Sequence, residues 1–163
     1  MSAASAAVAC RTVILQYIRR PRIARRPPPA GIDIIQVMDE RLKVAVLEDD
    51  EMFAALLAEL LGEYYDVVIG RNGLQGIALC LEGGVAAVVS EVGLPDFDGV
   101  KMLTEFRKNP RLSSIPVFMM TATDFFGYTR AEIERFPQVR GILYKSESPE
   151  IIVEAVRTAL HGG

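Results

Sequence analysis

Between residues 43 and 160, five short apolar runs alternate with stretches of helical periodicity, and this alternation leaves few folds open. Val44-Ala45-Val46-Leu47 is the first run, and residues 66–70, 86–91, 117–121 and 141–145 supply the others. The third is continuously apolar up to Ser90 and Glu91, the pattern of a strand covered on both faces. Residues 52–61 place Met52, Leu56, Leu57, Leu60 and Leu61 at helical spacing. Residues 74–81 read as a second helix ended by Gly83-Gly84, and residues 100–107 put Val100, Leu103 and Phe106 on one side of a third. A shorter helix is expected over residues 129–136. Pro149 opens the last, with Ile151, Ile152, Ala155, Val156 and Leu160 as its apolar face. Strands alternating with helices predict an α/β domain, a doubly wound five-stranded parallel sheet with about five helices on its two faces.

A chain of 163 residues, 50% hydrophobic and 24% charged, suits one domain with a sizeable core. Cys10 and Cys80 stand in unlike contexts with no metal-ligand spacing, which fits a reducing, cytoplasmic setting. No run approaches the ~18 apolar residues of a membrane span. An apolar patch near the N-terminus is followed by arginines, the wrong order for a secretory signal.

Charge divides the chain. Residues 1–43 hold 8 basic and 3 acidic side chains, while the remaining 120 hold 10 basic and 18 acidic. Residues 1–42 are therefore read as a basic Arg/Pro-rich extension, residues 43–160 as the folded domain and residues 161–163 as a tail. Arg19-Arg20-Pro21-Arg22 and Arg25-Arg26-Pro27-Pro28-Pro29 oppose regular structure and predict a flexible arm, with a short helix near its start that needs docking to persist. Nucleic acid is not expected as a partner except through this arm, because no base-reading pattern accompanies the arginines.

Functional residues of a doubly wound sheet gather beyond the carboxyl ends of its strands. Here those ends carry Glu48, Asp49 and Asp50 after the first strand, Glu91 on the third, Thr121 on the fourth and Lys145 on the fifth. Converging carboxylates repel one another unless a cation or a lysine compensates them, and oxygen ligands of this kind suit Mg²⁺.

The segments V-L-E-D-D-E (46–51), V-V-S-E-V-G-L-P-D-F-D-G (88–99), P-V-F-M-M-T-A (116–122) and L-Y-K-S (143–146) occur in that order. Together they resemble the receiver domains of bacterial two-component response regulators, over about 118 residues. The resemblance implies a flavodoxin-like (βα)5 fold and a role in phosphorelay signal transduction without catalysis. Carried over by position, Glu48 and Asp49 fall on the acidic pair that holds Mg²⁺, with Glu91 as the third metal carboxylate and the phosphoacceptor equivalent. Thr121 and Lys145 fall on the residues that contact the phosphoryl group, and Pro95 and Gly99 on the loop after the acceptor.

Three departures from the family pattern bear on function. Glu91 replaces the acceptor aspartate, Ile142 occupies the switch position of an aromatic residue, and Ser146 stands where a proline follows the lysine. The extra methylene of Glu91 advances its carboxylate by roughly 1.5 Å, and a misplacement near 1 Å costs phosphoryl transfer about a hundredfold. The resemblance therefore implies an atypical single-domain regulator or pseudo-receiver, with only weak Mg²⁺ binding. Glu91 either mimics a phosphoryl charge against Lys145 and Thr121 or forms a stabilising relic pair with Lys145. Phosphorylation at Glu91 or a neighbour and Mg²⁺-dependent phosphate hydrolysis are the alternatives.

Other acids have plainer uses. Asp50 and Glu51 suit a helix start, Asp96 and Asp98 a polar turn, Ser90 packing opposite Glu91, and His161 a frayed end. Receiver domains communicate through their last two helices and last strand, which places Tyr144, Pro149 and Ile152 on the interaction face. The side chain of Tyr144 alternates with that of Lys145 to the other face of the strand. With the sequence ending just after the last helix, output is expected through a protein partner, whether a histidine kinase, another regulator, an output protein or a second copy of the chain, or through an effect of the basic arm.

Overall fold

The computed structural model describes residues 41–122 and 125–162. The expectations for the basic arm, up to residue 40, lie outside the described residues. From Arg41 onward the chain forms one unit, and Arg41 itself donates to the carbonyl of Gly62 at 2.8 Å.

Five strands and five helices alternate: β1 (Lys43–Leu47), α1 (Glu51–Gly62), β2 (Asp66–Gly70), α2 (Gly73–Glu82), β3 (Val85–Glu91), α3 (Gly99–Lys108), β4 (Val117–Thr121), α4 (Arg130–Glu134), β5 (Val139–Tyr144) and α5 (Pro149–His161). The sheet is parallel throughout with strand order β2-β1-β3-β4-β5. Chain direction reverses its march across the sheet between β1 and β3, which creates a crevice at their carboxyl ends. Helices α1 and α5 pack together, as do α2 and α3. Ala45, Leu47, Val88, Met102, Leu103, Phe106, Met119 and Ile133 belong to one buried cluster. Cys80 is part of the same cluster, and burial pushes its thiol up to about 12, leaving it protonated and unreactive.

Short polar side chains start the helices. Asp50 caps α1 by accepting from the amide of Phe53 at 2.8 Å, so it stands just outside the first turn that holds Glu51. Asn72 caps α2 in the same way, and Thr129 with Glu132 forms a reciprocal capping box on α4. In the turn expected to be merely polar, Asp98 caps α3 by accepting from Val100 and Lys101.

Two apolar faces are rotated from their expected positions. At 100° per residue, the buried arc of α1 runs from Leu56 through Leu60, Leu57 and Leu61 to Ala54, and Met52 falls outside it at 59% exposure. The buried arc of α5 is Ile152, Val153 and Val156, which leaves Ile151 at 45% exposure. That arc also corrects the interaction face: Ile152, expected on it, is only 1% exposed and packs inward. Helix α4 ends at Glu134, and β5 begins two residues before the expected Gly141, because its pairing with β4 extends back to Val117↔Val139 through an irregularity in register. Helix α5 runs through His161, whose ring stacks on Tyr65 with centroids 5.8 Å apart, so this residue is held rather than frayed.

Gly99 lets α3 start directly beneath the end of β3. A Cβ there would lie 2.6 Å from the carbonyl oxygen of Glu91 and 2.8 Å from Met119 Cε. The backbone carbonyl cannot yield as a side-chain tip does. Gly99→Ala is therefore expected to lower the free energy of unfolding by about 1–3 kcal/mol, the usual cost of overpacking, as measured by urea denaturation.

Candidate functional site

Strand pairing brings the acidic residues together. Leu47 of β1 is in register with Ser90 of β3, so Glu48 and Glu91 leave the sheet as neighbours at the crevice. Across β4, the amide of Lys145 donates to the carbonyl of Thr121 at 2.9 Å, which fixes where the lysine leaves the end of β5. From there its side chain reaches back to β3 and β1. Lys145 Nζ lies 2.6 Å from Glu48 Oε2 and is also ion-paired with Glu91 Oε2.

Each carboxylate divides its oxygens between the lysine and a loop amide. Glu48 Oε1 accepts from the amide of Asp50 at 3.1 Å, and Glu91 Oε1 from that of Gly93 at 3.2 Å. Glu48 is fully buried, Glu91 is 4% exposed and the Lys145 side chain 18%. The Phe53 ring covers the ammonium, with its centroid 5.1 Å from Nζ. Thr121 is buried beside this group at the end of β4, and the Ser90 hydroxyl donates to the backbone carbonyl of Glu91 at 3.0 Å.

Electrostatics follow from that enclosure. Burial raises the Glu48 carboxyl above its ordinary range, against the opposing pull of Lys145. For Lys145, burial alone disfavours the charged form, but the hydrogen bonds it donates to Glu48 and Glu91 outweigh it and hold the ammonium above the ordinary lysine value.

Asp49 does not complete a metal site with these two. It is exposed, and its backbone carbonyl accepts from Arg71 at 3.5 Å, as that of Glu48 does at 3.3 Å. Among the described residues, no three His, Cys, Asp or Glu side chains are placed to hold a metal ion. Glu48 and Glu91 are already bound to an ammonium, so the arrangement does not fit Mg²⁺ as expected of Glu48, Asp49 and Glu91.

Ile142 is buried within the main cluster. Tyr144 is half-buried, accepts from Arg130 Nη1 at 3.4 Å and meets the Phe125 ring edge-on at 6.4 Å. Pro149 is half-buried at the start of α5. Phe53, Arg71 and the Gly93 amide were not legible as parts of the site. Phe53 carries only the periodicity of an ordinary helix residue, and an amide contact leaves no mark in a sequence.

The model of the response regulator receiver domain matches residues 44–157. The chain belongs to this family. Over 86 residues, 52% of this receiver chain and 37% of the relative, it is 37% identical to the uncharacterized transcriptional regulatory protein YkoG of Bacillus subtilis. The chain spans about half or less of the length of the curated relatives it matches first. A putative response regulator of Chloroflexus aurantiacus superposes with a TM-score of 0.63 at 25% identity, covering 74% of this chain and 98% of that one. The Mn²⁺-bound form of the response regulator Rcp1 superposes with a TM-score of 0.59 at 22% identity over 74% and 96% of the two chains, and shares the fold. Receiver domains are signalling modules without a catalytic role of their own, which sets the hydrolase alternative aside. Among the described residues, no helix is long and apolar enough to cross a membrane.

In this receiver the ion group sets a pH signature. The raised Lys145 contributes stability that is complete below its ordinary value of 10.5 and is lost as pH rises through its folded value. The raised Glu48 works in the acid range: its contribution is greatest below 4.5 and declines as pH climbs through its folded value. Lys145→Met strands two buried carboxylates and is expected to cost about 3–5 kcal/mol at neutral pH. That cost shrinks at acid pH, where Glu48 takes up a proton, and the alkaline loss disappears. Thermal and urea unfolding across pH would check both limbs. Freed carboxylates should also gain Mg²⁺-dependent stabilisation in this variant, about 1.4 kcal/mol at ten times the dissociation constant, more than the unsubstituted chain gains at the same concentration.

Proposed function

We propose that this chain is an atypical receiver, a pseudo-receiver module that works in signal transduction by contact with a protein partner and does not run an ordinary aspartyl phosphorylation cycle. In this reading Glu91 stands at the acceptor position, with Thr121 and Lys145 at the phosphoryl-contact positions and Ile142 at the switch position. The observation that carries it is the bridging of Glu48 and Glu91 by one lysine ammonium. A phosphoryl group arriving on an acceptor needs that lysine and a divalent cation for its charge. Here the lysine is committed to Glu91 itself, and the longer side chain already spans the gap.

The pair supplies about one negative charge against Lys145 where a phosphoryl group supplies nearly two. Glu91 therefore holds a single electrostatic state instead of switching between two. Replacement of the switch aromatic by buried Ile142 supports the same conclusion, since an aliphatic side chain packed in the core has no polar tip to exchange between inside and outside. Divalent cation binding, as in the Mn²⁺-bound Rcp1, is a weak property here at most.

Partner contact is assigned to the surface around Tyr144 and Pro149, with exposed Ile151 in place of Ile152. A histidine kinase, another regulator, an output protein or a second copy are the classes of partner that fit a receiver. The basic extension is read as a tail without a specific function of its own.

Incubation with acetyl phosphate and Mg²⁺ followed by intact mass measurement is expected to leave the protein unmodified. A stoichiometric phosphoryl adduct that Glu91→Gln abolishes would sink the pseudo-receiver reading. Glu91→Gln without the donor should change partner binding or oligomeric state, since it removes a charge from the group that sets the conformation.

A further inference from the structure

A carboxylate at the end of a central strand, facing a crevice that receives ligands in this fold class, is only 4% exposed. Lys145, itself under the Phe53 ring, pairs with it from the end of β5. The other side is the loop after β3, where Gly93 donates its amide to Glu91 Oε1. Directly on Gly93 lies the ring of Phe126: a Cβ on the glycine would fall 2.1 to 2.4 Å from three of its ring carbons. Contact that close to a Cα requires the absence of a side chain.

The Phe126 ring is held in this place by its own segment. Phe126 has φ 53° and Gly127 φ 84°, and a bulky residue in the left-handed region is uncommon unless its surroundings select it. On the far side of this turn, the Tyr128 amide donates to the Phe125 carbonyl at 3.0 Å and the Tyr128 hydroxyl donates to Asp98 Oδ2 at 3.5 Å. Asp98 is the cap of α3 and is also 3.1 Å from Lys101 Nζ. The capping box of Thr129 and Glu132 then fixes the start of α4. Phe126 nevertheless remains 58% exposed, so one side of the ring meets solvent while the other is pressed on the loop over Glu91.

We propose that Phe126, seated on Gly93, closes the solvent approach to Glu91 and sets which reagents reach this carboxylate. The inference rests on the pseudo-receiver reading for its meaning, because a site that receives no phosphoryl group has no need of an open mouth. Its geometry is independent of that reading. Replacing Glu91 by aspartate is on this account insufficient for rapid modification, as the shorter acceptor still lies behind the ring.

Access is measurable without phosphoryl chemistry. The thiol introduced by Glu91→Cys is treated with methyl methanethiosulfonate, which forms a mixed disulfide at that sulfur and releases methanesulfinate, and labelling is followed by peptide mass mapping. Adding Phe126→Ala is expected to speed labelling at position 91 at least tenfold. Adding Gly93→Ala should do the same with Phe126 still present, because the new methyl occupies the place of the ring and displaces it. Equal rates in the three proteins, each verified as folded by circular dichroism, would overturn the proposal. In a second measurement, Glu91→Asp with acetyl phosphate and Mg²⁺ should acquire its adduct at least tenfold more slowly than Glu91→Asp/Phe126→Ala, and equal adduct rates would count against it. A phosphoryl adduct on the unsubstituted chain overturns the pseudo-receiver reading alone, since the labelling ratio reports access and not acceptor chemistry.

Discussion

One ammonium between two buried carboxylates organises the carboxyl edge of this sheet. Lys145 meets Glu48 from β1 and Glu91 from β3, and neither carboxylate has another cation within reach among the described ion pairs. The sheet order makes the meeting unavoidable: β1 and β3 are neighbours, and β4 alone separates β3 from β5. A side chain as long as lysine is needed to return across that strand. The loops after β1 and β3 then wrap to offer the amides of Asp50 and Gly93 to the remaining oxygens.

Such a group is a poor source of net stability. Removing two carboxylates and an ammonium from water costs several kcal/mol per ion, and their attraction in the interior offsets that cost only with good geometry and satisfied lone pairs. Its consequence is conformational. The strand ends, the cap of α1 and the start of the loop before α3 are tied to one another, so displacement of any one breaks an interaction in the others. This is a reason for a receiver with Glu91 to occupy one state, where a receiver that gains and loses a phosphoryl group requires two of similar energy.

Much of the fold was legible because each element agrees with its local signals. β2 and β4 match their expected limits, and α2 and α3 extend theirs by a residue at each end. The misplaced helix faces share one cause. Met52 and Ile151 are apolar and helical in spacing, but a helix shows its partner only an arc of its surface, and which arc is set by how it lies on the sheet. For α5 that choice buries Val153 and turns Ile151 outward, which also moves Ile152 from an interaction surface into the core. The fourth helix is short because Pro137 disfavours helical backbone at the residue before it, and residues 135–138 turn before β5 begins.

From the residues alone came the alternation of strands and helices, the family resemblance, and the polar strand ends Glu48, Glu91, Thr121 and Lys145. These follow from periodicity and position, which are properties of a linear string. Which charges pair was decided by the tertiary structure. A sequence with Glu48, Asp49 and Glu91 suggests three oxygens around a cation, yet only two of them are drawn inside, and the cation they meet is covalently part of the chain. The ring of Phe126 on Gly93 belongs to the same class of fact. Both depend on distances between residues more than thirty positions apart, and those distances exist only once the sheet has put its strand ends side by side.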